Sequence, residues 1–233
     1  MKRLLPFAII TIVLGAGVAL GIYLRNSAEN GRAIPFGPAA KPGGSRPSEI
    51  VPAPGAEPAH ARGPATASVA LEEFADFQCP ACAQLYPMLK SIESEYGARV
   101  RVIFREFPLN QHQHAIAAGR VAEAAGLQGR FWEMHDMLYE NRATWSKAVD
   151  VGPIFEHYAR QLGLNLEQFN RDQTSMIVET RISKDHQRGL SLRIKATPTI
   201  YLNGAEIPYA QWRTVEGLRT VVNKALNPSE KGF

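Results

Sequence analysis

Residues 68–96 read SVALEEFADFQCPACAQLYPMLKSIESEY, and the way this stretch is parsed decides the fold. Ser68 to Phe74 alternates loosely between apolar and polar side chains, which suits a strand. Cys79 and Cys82 come next, with Pro80 and Ala81 between them and no other thiol in the 233 residues. Pro80 fits a first helical position, where a missing N–H costs nothing, and apolar side chains then recur at helical spacing up to Gly97. The dithiol therefore sits where a strand gives way to a helix.

Working outward, RVRVIFREFP at 99–108 reads as the next strand. Val100, Val102 and Phe104 share one face, and Arg99, Arg101 and Arg105 lie largely on the other. Strand, helix and strand at this length make a βαβ unit, a parallel pair joined by a right-handed crossover. From about Ala115 to Thr180 the pattern is helical throughout, and IVETRISKDHQRGLSLRI continues as a further long helix. A helical subdomain of about 112–190 thus interrupts the α/β unit. The sheet resumes in TPTIYLNGAEI, where Thr199 to Leu202 is followed by the hairpin signal Asn203-Gly204, and TVEGLRTVVNKAL closes the domain as a helix.

Upstream the composition changes twice. Lys2 and Arg3 precede a run from Leu4 to Leu24 of 21 residues without a charge. About 20 suffice to cross a bilayer, so residues 1–24 are expected to be a transmembrane anchor, with a cleaved signal as the alternative because Ala19-Leu20-Gly21 offers a poor cleavage site. Either reading exports the rest of the chain, since positive charge before the span holds the N-terminus in the cytoplasm. Residues 25–64 hold eight of the sixteen prolines and almost no apolar periodicity, which predicts a disordered linker and a folded domain over 65–228. The tail 1–64 carries seven Lys or Arg against three Asp or Glu, leaving 19 of each sign in the remainder. The domain is formally neutral, which argues against nucleic acid as a partner.

Outside the cytoplasm disulfides form and persist, and three readings of Cys79 and Cys82 are open. As a redox pair, Cys79 at the helix start has unpaired N–H groups and the helix dipole to stabilise a thiolate, with Cys82 one turn on and facing the same way. As half a zinc site the pair needs two more ligands, for which His112 and His114 are the best candidates in the chain. As a structural staple it closes too small a loop to constrain the unfolded chain much. An exported βαβ unit with one C-x-x-C at its helix start favours the redox reading.

Ser68 to Leu226 resembles the DsbA family of the thioredoxin fold, in its membrane-anchored or exported branch. EEFADFQCPAC resembles that family's strand-to-active-site run, FREFPL its second strand, GRFWEMHDMLYEN its helical insert and ATPTIYLNG its proline loop. The resemblance implies an α/β thioredoxin fold with a helical insert. It implies Cys79 as the exposed attacking cysteine, Cys82 as the shielded resolving one, and Thr197-Pro198 as a cis-proline pair that meets an extended substrate peptide. Pro87 matches the proline that bends the active-site helix. Glu73, six residues before Cys79, falls where the family often has a buried acid that moves protons to and from the second cysteine; its alternative is an ordinary strand carboxylate, with Glu72 on the opposite face. One position departs from DsbA itself, whose central dipeptide is Pro-His with a histidine that stabilises the thiolate. Pro80-Ala81 lacks that side chain, which is expected to make the pair less oxidising.

The expectation is a membrane-anchored extracytoplasmic thiol–disulfide oxidoreductase, in a periplasm or equivalent space, that oxidises cysteine pairs in exported proteins. It needs no metal or organic cofactor beyond the Cys79–Cys82 disulfide, and the resemblance implies reoxidation by a quinone-linked membrane partner. The alternatives are a reductase or isomerase using the same dithiol, and a non-catalytic peptide-binding module.

Overall fold

A computed structural model describes residues 52–227. The hydrophobic run at Leu4 to Leu24 and most of the proline-rich stretch lie outside them. Among the described residues no helix is long and apolar enough to cross a membrane.

Five strands form one sheet in the order β1-β3-β2-β4-β5. They are β1 (His60–Arg62), β2 (Val69–Ala75), β3 (Val100–Glu106), β4 (Thr199–Leu202) and β5 (Ala205–Glu206). The centre is the parallel pair β2 and β3, in register from Val69 opposite Val100 to Ala75 opposite Glu106. Helix α1 (Pro80–Tyr96) makes the crossover, with Pro87 inside it, and ends at Gly97, whose φ of 53° suits a residue without a Cβ. β4 pairs antiparallel with the other edge of β2 and turns into β5 through Asn203-Gly204, where φ is 47° and 83° as a type I′ turn requires.

Between β3 and β4 the chain runs through six helices: α2 (Ala115–Gly126), α3 (Phe131–Glu140), α4 (Arg142–Trp145), α5 (Gly152–Gln161), α6 (Leu166–Asp172) and α7 (Met176–Ser191). A short α8 (Tyr209–Trp212) and α9 (Val215–Leu226) come after β5. Asn165, Ser175 and Thr214 cap α6, α7 and α9 by accepting N–H groups of the first turn.

Strand alternation sorts the core. Val69, Leu71, Val100, Val102 and Ile200 bury one sheet face against Leu85, Leu89 and Ile92 of α1 and Leu218 and Val222 of α9. The insert has its own apolar centre, built from Phe77, Phe104, Phe131, Met134, Leu138, Trp145, Phe155 and Phe169. The opposite sheet face packs Phe74 and Tyr201 with Phe107 and Ile194 and meets α7 through ions.

One boundary differs from the sequence expectation. Residues 60–64, assigned by composition to the linker, include β1, which pairs antiparallel with β3. Contacts with the sheet and α7 reach further upstream: Ala56 is buried, its N–H donating to Asp185 at 2.7 Å and its carbonyl accepting from Arg105 at 2.8 Å. Polar anchors hold this segment. His60 faces Glu123 and stacks on Phe131, while Arg62 pairs with Asp136 and lies over Trp132. Composition registers a poverty of apolar residues, whereas these partners come from elements far along the chain.

Candidate active site

Helix α1 begins at the dithiol because the loop before it is fixed from two sides. Cys79 N–H donates to the Asp76 carbonyl at 3.0 Å, and Gln78 N–H donates to the Asp76 carboxylate at 2.7 Å. The other carboxylate oxygen of Asp76 accepts from Leu109 N–H and meets His112 Nδ1 at 2.7 Å. Gln78 binds the insert: its amide donates to the Ser146 carbonyl, its side-chain oxygen accepts from His114 N–H, and its backbone carbonyl accepts from Nε and Nη2 of Arg142. Asp76, Gln78 and Arg142 are positioning residues that sequence reasoning missed. Their partners are 33 to 68 positions away, and no local spacing marks them.

Cys79 and Cys82 are not joined to each other in this structure. Cys79 occupies the N-cap of α1 and is itself buried, 5 % exposed, so it is not the exposed cysteine that the resemblance implied; Pro80 stands at the helix start, and Cys82 lies beneath them, fully buried. Cys79 Sγ is 3.4 Å from the carbonyl oxygen of Thr197, and the Thr197–Pro198 peptide is cis. The ionisation of the two sulfurs is split. Cys79 is lowered to about 5, first because the Cys82 thiol donates to it, against the cost of burial, then through Thr197 and the amide groups of Cys82 and Ala81. Cys82 is pushed well above 9, first by burial, then because its proton is already engaged with Cys79, then by the charge of Glu73. At neutral pH the pair therefore presents one thiolate, at the N-terminal sulfur.

Glu73 stands on the same sheet face as Leu71, beneath α1. It is 3 % exposed, its Oε1 has no hydrogen-bond partner among the described residues, and burial and then the charge of Cys79 raise its pKa to about 8. A carboxyl so placed exchanges protons near neutrality, and it acts electrostatically on Cys82.

The sequence-derived candidates are thus brought together, with Cys79, Cys82, Thr197 and Pro198 at one end of the sheet and Glu73 below. Ala81, Thr197 and Pro198 also line a groove of about 350 Å³ with Glu206, Tyr209 and Trp212. Tyr209 is exposed there, an aromatic surface suited to an extended peptide. His112 and His114 are not brought to the cysteines: His112 holds Asp76, and His114 Nε2 faces the Ala148 carbonyl at 2.8 Å. The zinc reading loses its two extra ligands.

A family model described as thioredoxin matches residues 56–224. Among solved structures, the chain is similar to BdbD from Bacillus subtilis (20 % identity, TM-score 0.65, covering 76 % of this chain and 97 % of that one). It is also similar to the thiol-disulfide exchange protein alpha-DsbA2 from Wolbachia pipientis (17 % identity, TM-score 0.61, 71 % and 86 %). At these identities the likeness is one of fold. Among curated proteins, it is 35 % identical over 146 residues to Na(+)/H(+) antiporter NhaA 1 of Salinispora arenicola, covering 62 % of this chain and 22 % of the antiporter. A second antiporter NhaA 1, from Mycolicibacterium gilvum, is 35 % identical over 150 residues, covering 62 % and 23 %. The chain spans less than a quarter of the length of these curated relatives.

Proposed function

The chain belongs to the thioredoxin family, in the DsbA-like form that carries a helical insert, and on that premise we propose that it is an extracytoplasmic thiol–disulfide oxidoreductase that oxidises cysteine pairs in exported proteins. The observation that carries this reading is the split dithiol: a Cys79 thiolate at a helix start beside cis Thr197–Pro198, above a buried and protonated Cys82.

In the oxidised enzyme a client thiolate attacks Cys79 Sγ. The Cys79–Cys82 bond breaks, its electron pair goes to Cys82 Sγ, and Glu73 supplies the proton that this buried sulfur holds. A mixed disulfide now joins the client to Cys79. The client's second thiolate attacks its own sulfur in that bond, and Cys79 leaves as a thiolate that stays ionised at neutral pH. The client leaves with a disulfide and the enzyme is left as the dithiol. A low pKa makes Cys79 the better leaving group and stabilises the reduced enzyme, which makes the disulfide an oxidant. The groove beside Pro198 receives an extended client segment, and the reaction uses no metal or organic cofactor. Reoxidation falls to a membrane thiol oxidase linked to quinone, reached in the periplasm or an equivalent space by a domain held through the N-terminal hydrophobic run.

A second reading, the same dithiol run as a reductase or isomerase, is favoured by Ala81, which brings no charge to the thiolate. The reduction potential separates them. A Cys79 thiol lowered to about 5, against about 7 in thioredoxin, stabilises the reduced form and moves the couple above thioredoxin's value of about −270 mV. A potential at or below thioredoxin's overturns the oxidising direction. Oxidation of a reduced test protein that persists in Cys79→Ser overturns the choice of nucleophile.

A further inference from the structure

Beneath the dithiol, three buried polar atoms are without hydrogen-bond partners among the described residues: Glu73 Oε1, Glu93 Oε1 and His135 Nε2. Their residues line the same narrow crevice, with room for about one water molecule (about 10 Å³). Three orphaned polar atoms around a space of that size are what a bridging water satisfies. Arg62, Lys90 and Glu93 line this crevice and also a surface depression of about 430 Å³, so Glu93 stands at the junction between inside and outside. Its Oε2 is 3.5 Å from Arg62 Nη1. The crevice runs along one stripe of α1, since its lining residues Tyr86, Leu89, Lys90 and Glu93 recur at three- and four-residue spacing. The peptide groove beside Pro198 shares no lining residue with it.

We propose that this crevice is a proton conduit, in which a water held by Glu73, Glu93 and His135 carries protons between Glu73 and Glu93, and Glu93 exchanges them with solvent at the mouth formed by Arg62 and Lys90. The inference rests on the oxidoreductase reading and supplies a step that reading needs. When a thiolate attacks Cys79, the departing Cys82 sulfur takes a proton from Glu73, and the Glu73 carboxylate must regain one while the bound client covers the groove. The conduit delivers it from the other side of α1, and in the reverse reaction it removes it. His135 positions the water. Its Nδ1 bonds Asp136 Oδ1 at 2.9 Å, and burial holds its pKa near 4, so the ring is neutral and Nε2 accepts a hydrogen bond from the water. The charged and titratable groups around the path are Cys79, Cys82 and Tyr139 at its inner end, Tyr86 along α1, and Arg62, Lys90 and Asp136 outside.

The test is the rate at which glutathione reduces the oxidised full chain, monitored at low and at high concentration of a small buffer such as imidazole. Glu93→Gln is expected to slow reduction by about tenfold at low buffer and to recover at high buffer, as a diffusible acid replaces the missing carrier. Glu95→Gln, an exposed neighbour paired with Arg219, is expected to change neither rate. A Glu93→Gln rate equal to that of the unaltered chain at low buffer, or a loss that imidazole does not restore, overturns the conduit. Failure of the underlying reading looks different: glutathione would then leave the oxidised unaltered chain unreduced at low and at high buffer alike.

Discussion

Glu72 and Glu73 are neighbours in β2, nearly equal in burial, and opposite in character. Glu72 faces α7, where its Oε1 accepts from Arg105 at 2.7 Å and from Arg188 at 2.8 Å and its Oε2 from Arg188 at 2.9 Å. Burial alone would raise its pKa, but these two guanidinium groups outweigh that and leave it lowered. Glu73 faces α1 and the dithiol, with no cation bonded to it among the described residues, and its pKa is raised to about 8. Burial is common to both, so the partner decides. A paired carboxylate ties the sheet to α7, and an unpaired one stays able to gain and lose a proton beside a sulfur that needs it.

The contrast is sharpened most by pH. The folded pKa of Glu73 lies above its ordinary 4.5, so its contribution to stability is complete below 4.5 and is lost as pH rises through about 8, on the order of 5 kcal/mol for a shift of this size. Glu72 has the opposite sign: its contribution is present above 4.5 and is lost as pH falls through its depressed folded value. Melting curves across pH are therefore expected to flatten between pH 4.5 and 8 in Glu73→Gln, and on the acid side below 4.5 in Glu72→Gln. Identical pH profiles for the two variants would remove the distinction.

Truncation breaks the contrast more bluntly. Glu72→Ala leaves Arg188 and part of the hydrogen bonding of Arg105 uncompensated in a buried layer, and is expected to cost about 3 kcal/mol in denaturant unfolding while the remaining folded molecules keep their exchange rate. Glu73→Gln is the converse. It is expected to hold or gain stability at neutral pH and to slow thiol–disulfide exchange by about 10²- to 10⁴-fold, the range of a lost general acid or base. A Glu73→Gln protein exchanging at the full rate would reduce Glu73 to a structural carboxyl.

Much of this contrast was legible in the sequence. Two-residue alternation through VALEEFA places adjacent carboxylates on opposite faces, and the position of Pro80 marks the helix start that activates Cys79. The partners were not legible. Arg105 and Arg188 lie 33 and 116 positions from Glu72, and only the packing of α7 on the sheet brings them together. For the same reason β1 was hidden within a proline-rich stretch, since its anchors are Glu123, Trp132 and Asp136 in the insert. The stripe from Tyr86 to Glu93 has helical spacing in plain view, but it acquires meaning only when His135 closes the crevice from α3.

The central claim is that Cys79 is the ionised, attacking sulfur and Cys82 the shielded one, and titration of the reduced protein by thiolate absorbance tests it directly. One thiolate is expected to form with a midpoint near pH 5, absent in Cys79→Ser and retained in Cys82→Ser at a higher midpoint, because the Cys82 thiol is the first cause of the lowering. A protein whose first thiolate appears only at the ordinary thiol value of about 8.5, or whose low-pH thiolate survives in Cys79→Ser, contradicts it.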